Sequence, residues 1–147
     1  MEIKEVHKWE RAVTMILNVL GWDLKWVGKE DKSWDAEGLS PKNRKVVIEM
    51  KFRDKYYEEK LLEKFKYDKL MELPDDIVKL YFVNDPKGNY MYWLDGIEMP
   101  DPSELYCPST TIWNKKKVKK QVYLLTENMA SIINLIVIKL FVNNSLY

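Results

Sequence analysis

Trp34-Asp35-Ala36-Glu37-Gly38 and Val46-Val47-Ile48-Glu49-Met50-Lys51-Phe52, separated by the polar run Ser40-Pro41-Lys42-Asn43-Arg44, decide how this chain is read. Both flanks read as short strands and the middle as a turn, so the stretch predicts a hairpin. Side chains alternate across a strand. On the second strand Val46, Ile48, Met50 and Phe52 therefore share one face, with Val47, Glu49, Lys51 and Arg53 on the other. On the first, Asp35 and Glu37 stand opposite Trp34 and Ala36. Pairing the strands sets Asp35 beside Glu49, with Lys51 roughly 7 Å further along the same face. Two converging carboxylates suit a hard divalent cation. A lysine beside that cation can orient or deprotonate a water, or neutralise charge building on a phosphate. Such a set is suited to metal-assisted hydrolysis of a phosphodiester. The alternative is a solvated sheet face carrying a Glu–Lys cross-strand pair.

Working outward, residues 2–20 predict a helix, because Val6, Trp9, Val13, Ile16, Leu17 and Leu20 recur three and four apart and Gly21 follows as a stop. Glu10 falls on the edge of that apolar arc, where an acid either meets solvent or reaches into a site at the sheet edge. Residues 22–27 alternate as a strand, with Trp22, Leu24 and Trp26 on one face as core or interface filler. Residues 56–73 predict a second long helix ended by Pro74. A buried strand is expected over 76–84, then the turn Asp85-Pro86-Lys87-Gly88-Asn89 and a return strand over 90–94. The acids and prolines of 95–108 predict a surface loop, and 121–125 a last short strand. Lys115, Lys116, Lys117, Lys119 and Lys120, next to Trp113, form the strongest basic feature. They suit either phosphate neutralisation or protection of an edge strand.

The chain divides into a domain over 1–126 and an apolar tail over 127–147. In the tail Met129, Ile132, Ile133, Ile136, Val137, Leu140 and Phe141 fit a helical stripe, too short and too polar to span a bilayer, that packs on the core or forms a homodimer face. A strand is the rival reading, because the tail is rich in β-branched residues. With 147 residues the sequence holds one domain with a genuine core. A net charge of +1 argues neither for nor against nucleic acid, so charge distribution matters more than the sum. One cysteine, Cys107, excludes an intrachain disulfide framework and points to a reducing cytoplasm, and no signal peptide is visible. One histidine, His7, leaves too few ligands for a His-cluster zinc site, so hydrolysis here must rest on carboxylates and lysine.

Asp35, thirteen intervening residues, then Glu49-Met50-Lys51 resembles the D…ExK signature of the PD-(D/E)XK nuclease superfamily, and the helix carrying Glu10 resembles its first motif. Of four E-x-K triplets in the chain, this one alone follows a β-branched run and a strand-borne Asp at hairpin distance. The residue before Asp35 is Trp34, where the named pattern has proline. The resemblance covers roughly residues 2–83. It implies an α/β fold of the restriction-endonuclease-like type, a mixed β-sheet flanked by helices with an αβββαβ core, extended by a hairpin strand and a C-terminal helix. It further implies Mg²⁺ or Mn²⁺ held by Asp35, Glu49, the Met50 carbonyl and Glu10 through water, with Lys51 positioning the attacking water on DNA. By analogy Lys66, Tyr67 and Lys69 of the following helix are candidates to face the scissile phosphate, against a plain solvated lysine face. In size the chain is similar to the stand-alone nucleases of phages and mobile elements. A junction-resolving dimer using the same site and a non-catalytic DNA-binding module on the same fold remain alternatives.

Overall fold

In a computed structural model describing residues 2–109 and 116–130, helix α1 (Ile3–Val19) lies along the first strand and buries Glu10, Thr14 and Leu17. The side-chain amide of Asn18 clamps strand β1 (Asp23–Trp26) to the helix end. It donates to the Leu24 carbonyl at 2.9 Å and accepts from the Leu24 amide at 2.8 Å. Strand β2 (Ala36–Leu39) returns antiparallel, and β3 (Lys45–Phe52) pairs with it so that Ala36 faces Ile48 and Glu37 faces Val47. Gly38 permits the close β1–β2 approach: a Cβ there would lie 2.0 Å from the Asp23 carbonyl oxygen, and its φ of +153° disfavours other residues.

Strand β4 (Lys60–Glu63) and helix α2 (Lys64–Met71) follow β3 in the chain; the sheet itself continues from β3 through β5 (Val78–Asp85), parallel to β3, and β6 (Gly88–Trp93), antiparallel to β5. The order β1-β2-β3-β5-β6 makes this a mixed sheet. Period-two alternation on β3 sorts its side chains as expected. Val46, Ile48 and Met50 join Leu17 of α1, Leu80, Phe82 and Met91 on one face, while Val47 joins Tyr81, Val83 and Tyr92 on the other. Burying each such aliphatic side chain stabilises the fold by roughly 1.5–3 kcal/mol.

A second, three-stranded sheet covers that other face together with the second helix, and here the structure departs from the sequence reading. Residues 56–73 do not form one long helix: β4 (Lys60–Glu63) precedes a helix α2 of only eight residues (Lys64–Met71). Lys60 and Leu62 point inward from β4, and Leu62 and Leu70 are fully buried against Tyr81 and Leu94. The expected loop over 95–108 contains strand β7 (Ser103–Pro108), and the last strand β8 (Lys117–Leu125) is nine residues long. In the order β4-β8-β7 the lysine-rich strand is central, so its lysines do not guard an edge. The helix and strand order therefore inserts β4 between the three-stranded meander and α2, and the sheets of a simple αβββαβ core become two.

Lys60 joins the two sheets. Its ammonium, buried in the protein, reaches Asp85 at the end of β5 at 2.6 Å and Glu127 just past β8 at 3.2 Å. The rings of Tyr56 and Tyr90 lie 4.4 and 4.2 Å from it. A short 3₁₀ turn, Glu127–Met129, follows β8, and Ala130 is buried behind it. The expected C-terminal helix from residue 131 onward, the segment 110–114 and Lys115 lie outside the described residues.

Candidate active site

Asp35 sits one residue before β2 and extends its ladder: its amide bonds the Ile48 carbonyl at 2.9 Å, which places it opposite Glu49. Its carboxylate is aimed by the Met50 amide, which donates to Asp35 Oδ2 at 2.7 Å. Trp34 does not follow the strand alternation expected of it, because regular pairing starts only at Ala36. Its indole instead donates to Glu37 at 2.7 Å on the side facing the second sheet.

Glu49 is buried in the middle of β3 with β2 on one side and β5 on the other. The Lys66 ammonium, from the first turn of α2, is hydrogen-bonded to Glu49 Oε1. Glu10 enters from α1, also buried, and accepts a hydrogen bond from the Trp26 indole at 2.9 Å. Gly28 lies directly behind this contact: a Cβ there would come within 2.5 Å of Glu10 Oε2 and 2.7 Å of Trp26 Nε1. Any side chain at 28 would therefore displace the carboxylate or the indole.

Electrostatics bind these groups into one site. Burial pushes the Glu49 carboxyl up to about 7, and the Asp35 charge adds to that rise while Lys66 opposes it. Asp35 is also raised, again by burial, against the Met50 amide and the Lys66 charge. Glu10 is pushed up to about 7 by burial, with the Trp26 hydrogen bond opposing and Asp35 contributing to the rise. For Lys66 burial acts downward, yet the attraction and hydrogen bond of Glu49 outweigh it and hold the ammonium above its ordinary value. Lys51 goes the other way: burial, then Arg53 and Lys66, lower it. Three neighbouring acids whose proton affinity is raised form a place where added positive charge is favoured.

Asp35 and Glu49 fit a divalent cation of the Mg²⁺ type, which commonly takes one or two carboxylates and completes its shell with water and phosphate. Among the described residues no three Asp, Glu, His or Cys side chains are grouped closely enough to hold a metal by themselves. Glu10 accordingly belongs at the margin of such a site, held by Trp26.

The remaining sequence candidates divide. Lys66 is brought to Glu49, whereas Tyr67 packs edge-on against Tyr123 at 5.0 Å and Lys69 stands over Phe65, 3.9 Å from Glu72. Lys119 pairs with Glu104 at 2.8 Å and Lys120 with Glu63 at 3.1 Å, while Lys116 and Lys117 lie at the start of β8. Sequence reasoning misses two neighbours of the site. His7 stacks edge-on against Trp26 at 5.3 Å and its charge lowers the Asp35 carboxyl, and Trp26 itself holds Glu10. His7 is legible in principle, since it stands three residues before Glu10 on one helix face. Trp26 carries no such signal, being one of six tryptophans.

Among the described residues no helix is long and apolar enough to cross a membrane. No protein-family model matches the sequence, and no curated protein sequence matches it. Its structure is similar to that of Hjc, a Holliday junction resolvase from the archaeal hyperthermophile Archaeoglobus fulgidus. The TM-score is 0.54 at 11% sequence identity, over 82% of this chain and 89% of that one. At such low identity the likeness establishes a shared fold: a mixed α/β domain, which in this chain presents Asp35 and Glu49 side by side from β2 and β3.

Proposed function

We propose that this chain is a metal-dependent nuclease of the PD-(D/E)XK type, hydrolysing DNA phosphodiester bonds at Asp35, Glu49 and Lys51. The observation that carries this reading is the pairing of Asp35 with Glu49 across β2 and β3, fixed by the Met50 amide on Asp35 Oδ2 at 2.7 Å. In it Asp35, Glu49 and the Met50 carbonyl would hold Mg²⁺ or Mn²⁺, with Glu10 contributing through water. Such a cation would supply Lewis acidity at the scissile phosphate. Lys51, its proton loosened by burial and by the Arg53 and Lys66 charges, orients the attacking water and accepts or returns its proton. Lys66 holds Glu49 in line and offers its ammonium to the scissile phosphate.

The test is cleavage of plasmid, single-stranded, flap and four-way-junction DNA with Mg²⁺, Mn²⁺ or chelator. Activity is expected only with metal, and Lys51→Ala is expected to reduce it by about 10²–10⁴-fold while the circular dichroism spectrum is kept. Wild-type-like cleavage by folded Lys51→Ala protein would sink the mechanism.

A second reading, a junction-resolving dimer using the same residues, is favoured by the fold shared with a protein described as a Holliday junction resolvase. It predicts preferential cleavage of four-way junctions in symmetrically paired strands and a dimer by light scattering. Equal rates on linear duplex and junction would remove it while leaving the nuclease reading in place.

A further inference from the structure

A cleft of 640 Å³ opens directly beyond Lys51, between the end of β3, the start of β4 and the paired strands β7 and β8. Its size is that of a site for a small organic group, since ligand clefts span roughly 300–1,000 Å³. Its lining combines charge and rings. Arg53, Lys55 and Lys117 give it positive charge, and Tyr57 and Tyr106, which are 57% and 71% exposed, are among the residues that line it. Of its three acids, Asp85 is held by the buried Lys60 and Glu63 by Lys120, which leaves Glu59 alone against those cations.

Two solvent-facing aromatic rings in a cationic cleft are the components of a single-strand binding groove, in which bases stack on rings and phosphates meet lysine and arginine. A duplex cannot use them, because the faces of its bases are already stacked on one another. Lys51 lines the same cleft, so a strand bound there ends at the site of hydrolysis. Past that point lies a second cleft, of 580 Å³, lined by Lys66 and by Phe65, whose ring is 70% exposed. Glu63 borders both clefts.

Resting on the nuclease reading, we infer that the cleft beside Lys51 binds unpaired DNA, with bases stacked on Tyr57 and Tyr106, so that the substrate carries a single-stranded segment next to the cut phosphodiester. The tyrosines are specificity-determining residues that touch bases and leave the acids of the site alone.

The test measures anisotropy of labelled oligo-deoxythymidine and of a labelled blunt duplex, both in chelator so that no cleavage occurs. The proteins are the wild type, Tyr57→Ala/Tyr106→Ala and Tyr57→Phe/Tyr106→Phe, each checked for an unchanged circular dichroism spectrum. Removing a stacking ring is expected to weaken oligo-deoxythymidine binding by roughly five- to a hundredfold per ring, with the phenylalanine pair close to wild type and duplex binding changed little. Oligo-deoxythymidine affinity of the folded alanine pair within about twofold of wild type overturns the inference. So does an equally large drop in the phenylalanine pair, which would assign the effect to the hydroxyls. Because binding is read without metal, the two proposals fail separately. Stacking-dependent binding with no cleavage of any DNA would leave the cleft and remove the nuclease. Metal-dependent cleavage with binding indifferent to the tyrosines would do the reverse.

Discussion

At the scale of single residues the site is a set of acids that prefer their protons. Glu10 and Glu49 are both pushed up to about 7 from an ordinary 4.5, chiefly by burial, and Asp35 shifts in the same direction. A carboxyl raised in the folded state binds more protons there than in the unfolded chain. Its stabilising effect is complete below the unfolded value and is lost as pH rises through the folded one. The metal-free protein should therefore melt lower at pH 8 than at pH 5, by on the order of 5 °C for a domain of this size. Glu10→Gln should flatten that slope, and Mg²⁺ at pH 8 should recover the lost stability by replacing the missing protons with a bound cation. Melting temperatures by calorimetry across pH 5–8, with chelator or Mg²⁺, decide it; a rising or flat profile in chelator would mean the acids are not desolvated together. The pairing of Asp35 with Glu49 is legible in the sequence because a two-residue period is a local property, as is the candidacy of Lys51. That Lys66 lands on Glu49 is not legible, since it depends on where α2 begins.

Elements are legible in the sequence where their pattern is long and obscure where it is short. The 17-residue α1 and the eight-residue β3 and β5 carry several repeats of their periods. The four-residue β4 does not. Its Lys-Leu-Leu-Glu also fits a helical period, and only pairing with β8 makes it a strand. Strand β7 is hidden by Pro102 just before it and Pro108 at its last position, which an edge strand tolerates because little of its backbone must donate. The same helical period puts Lys60 on a helix face, yet it is the clip between β4, β5 and the residues after β8. Lys60→Met should cost about 3–5 kcal/mol, because Asp85 is then left buried without its partner. Adding Asp85→Leu should return a large share of that stability. Urea denaturation of the single and double variants separates these effects, and a double variant as unstable as the sum of the singles would show that the pair is not coupled.

For the whole molecule the net charge of +1 gives no general attraction to DNA, so affinity must come from where the charges lie. The two-sheet arrangement decides that, and it is invisible in the sequence because β4 and β7 are. In sequence the five lysines around β8 form one patch, but the sheet treats the described ones differently. Lys119 and Lys120 meet Glu104 and Glu63 on the strands to either side, whereas Lys117 lines the cleft beside the site. A lysine that already faces a carboxylate adds little net positive charge for a phosphate to meet, and it releases few counterions on binding. Removing one lysine–phosphate pairing lowers the log–log salt slope of binding by about 0.7 for single strands and 0.9 for duplex. Lys117→Gln should therefore reduce the slope for oligo-deoxythymidine by about 0.7 and weaken binding most at low salt. Lys119→Gln should leave the slope nearly unchanged. Titrations between about 50 and 200 mM salt, in chelator, give both slopes directly. Equal reductions from Lys117→Gln and Lys119→Gln would return the lysines of β8 to a single undivided patch, with strand pairing irrelevant to which of them meets DNA.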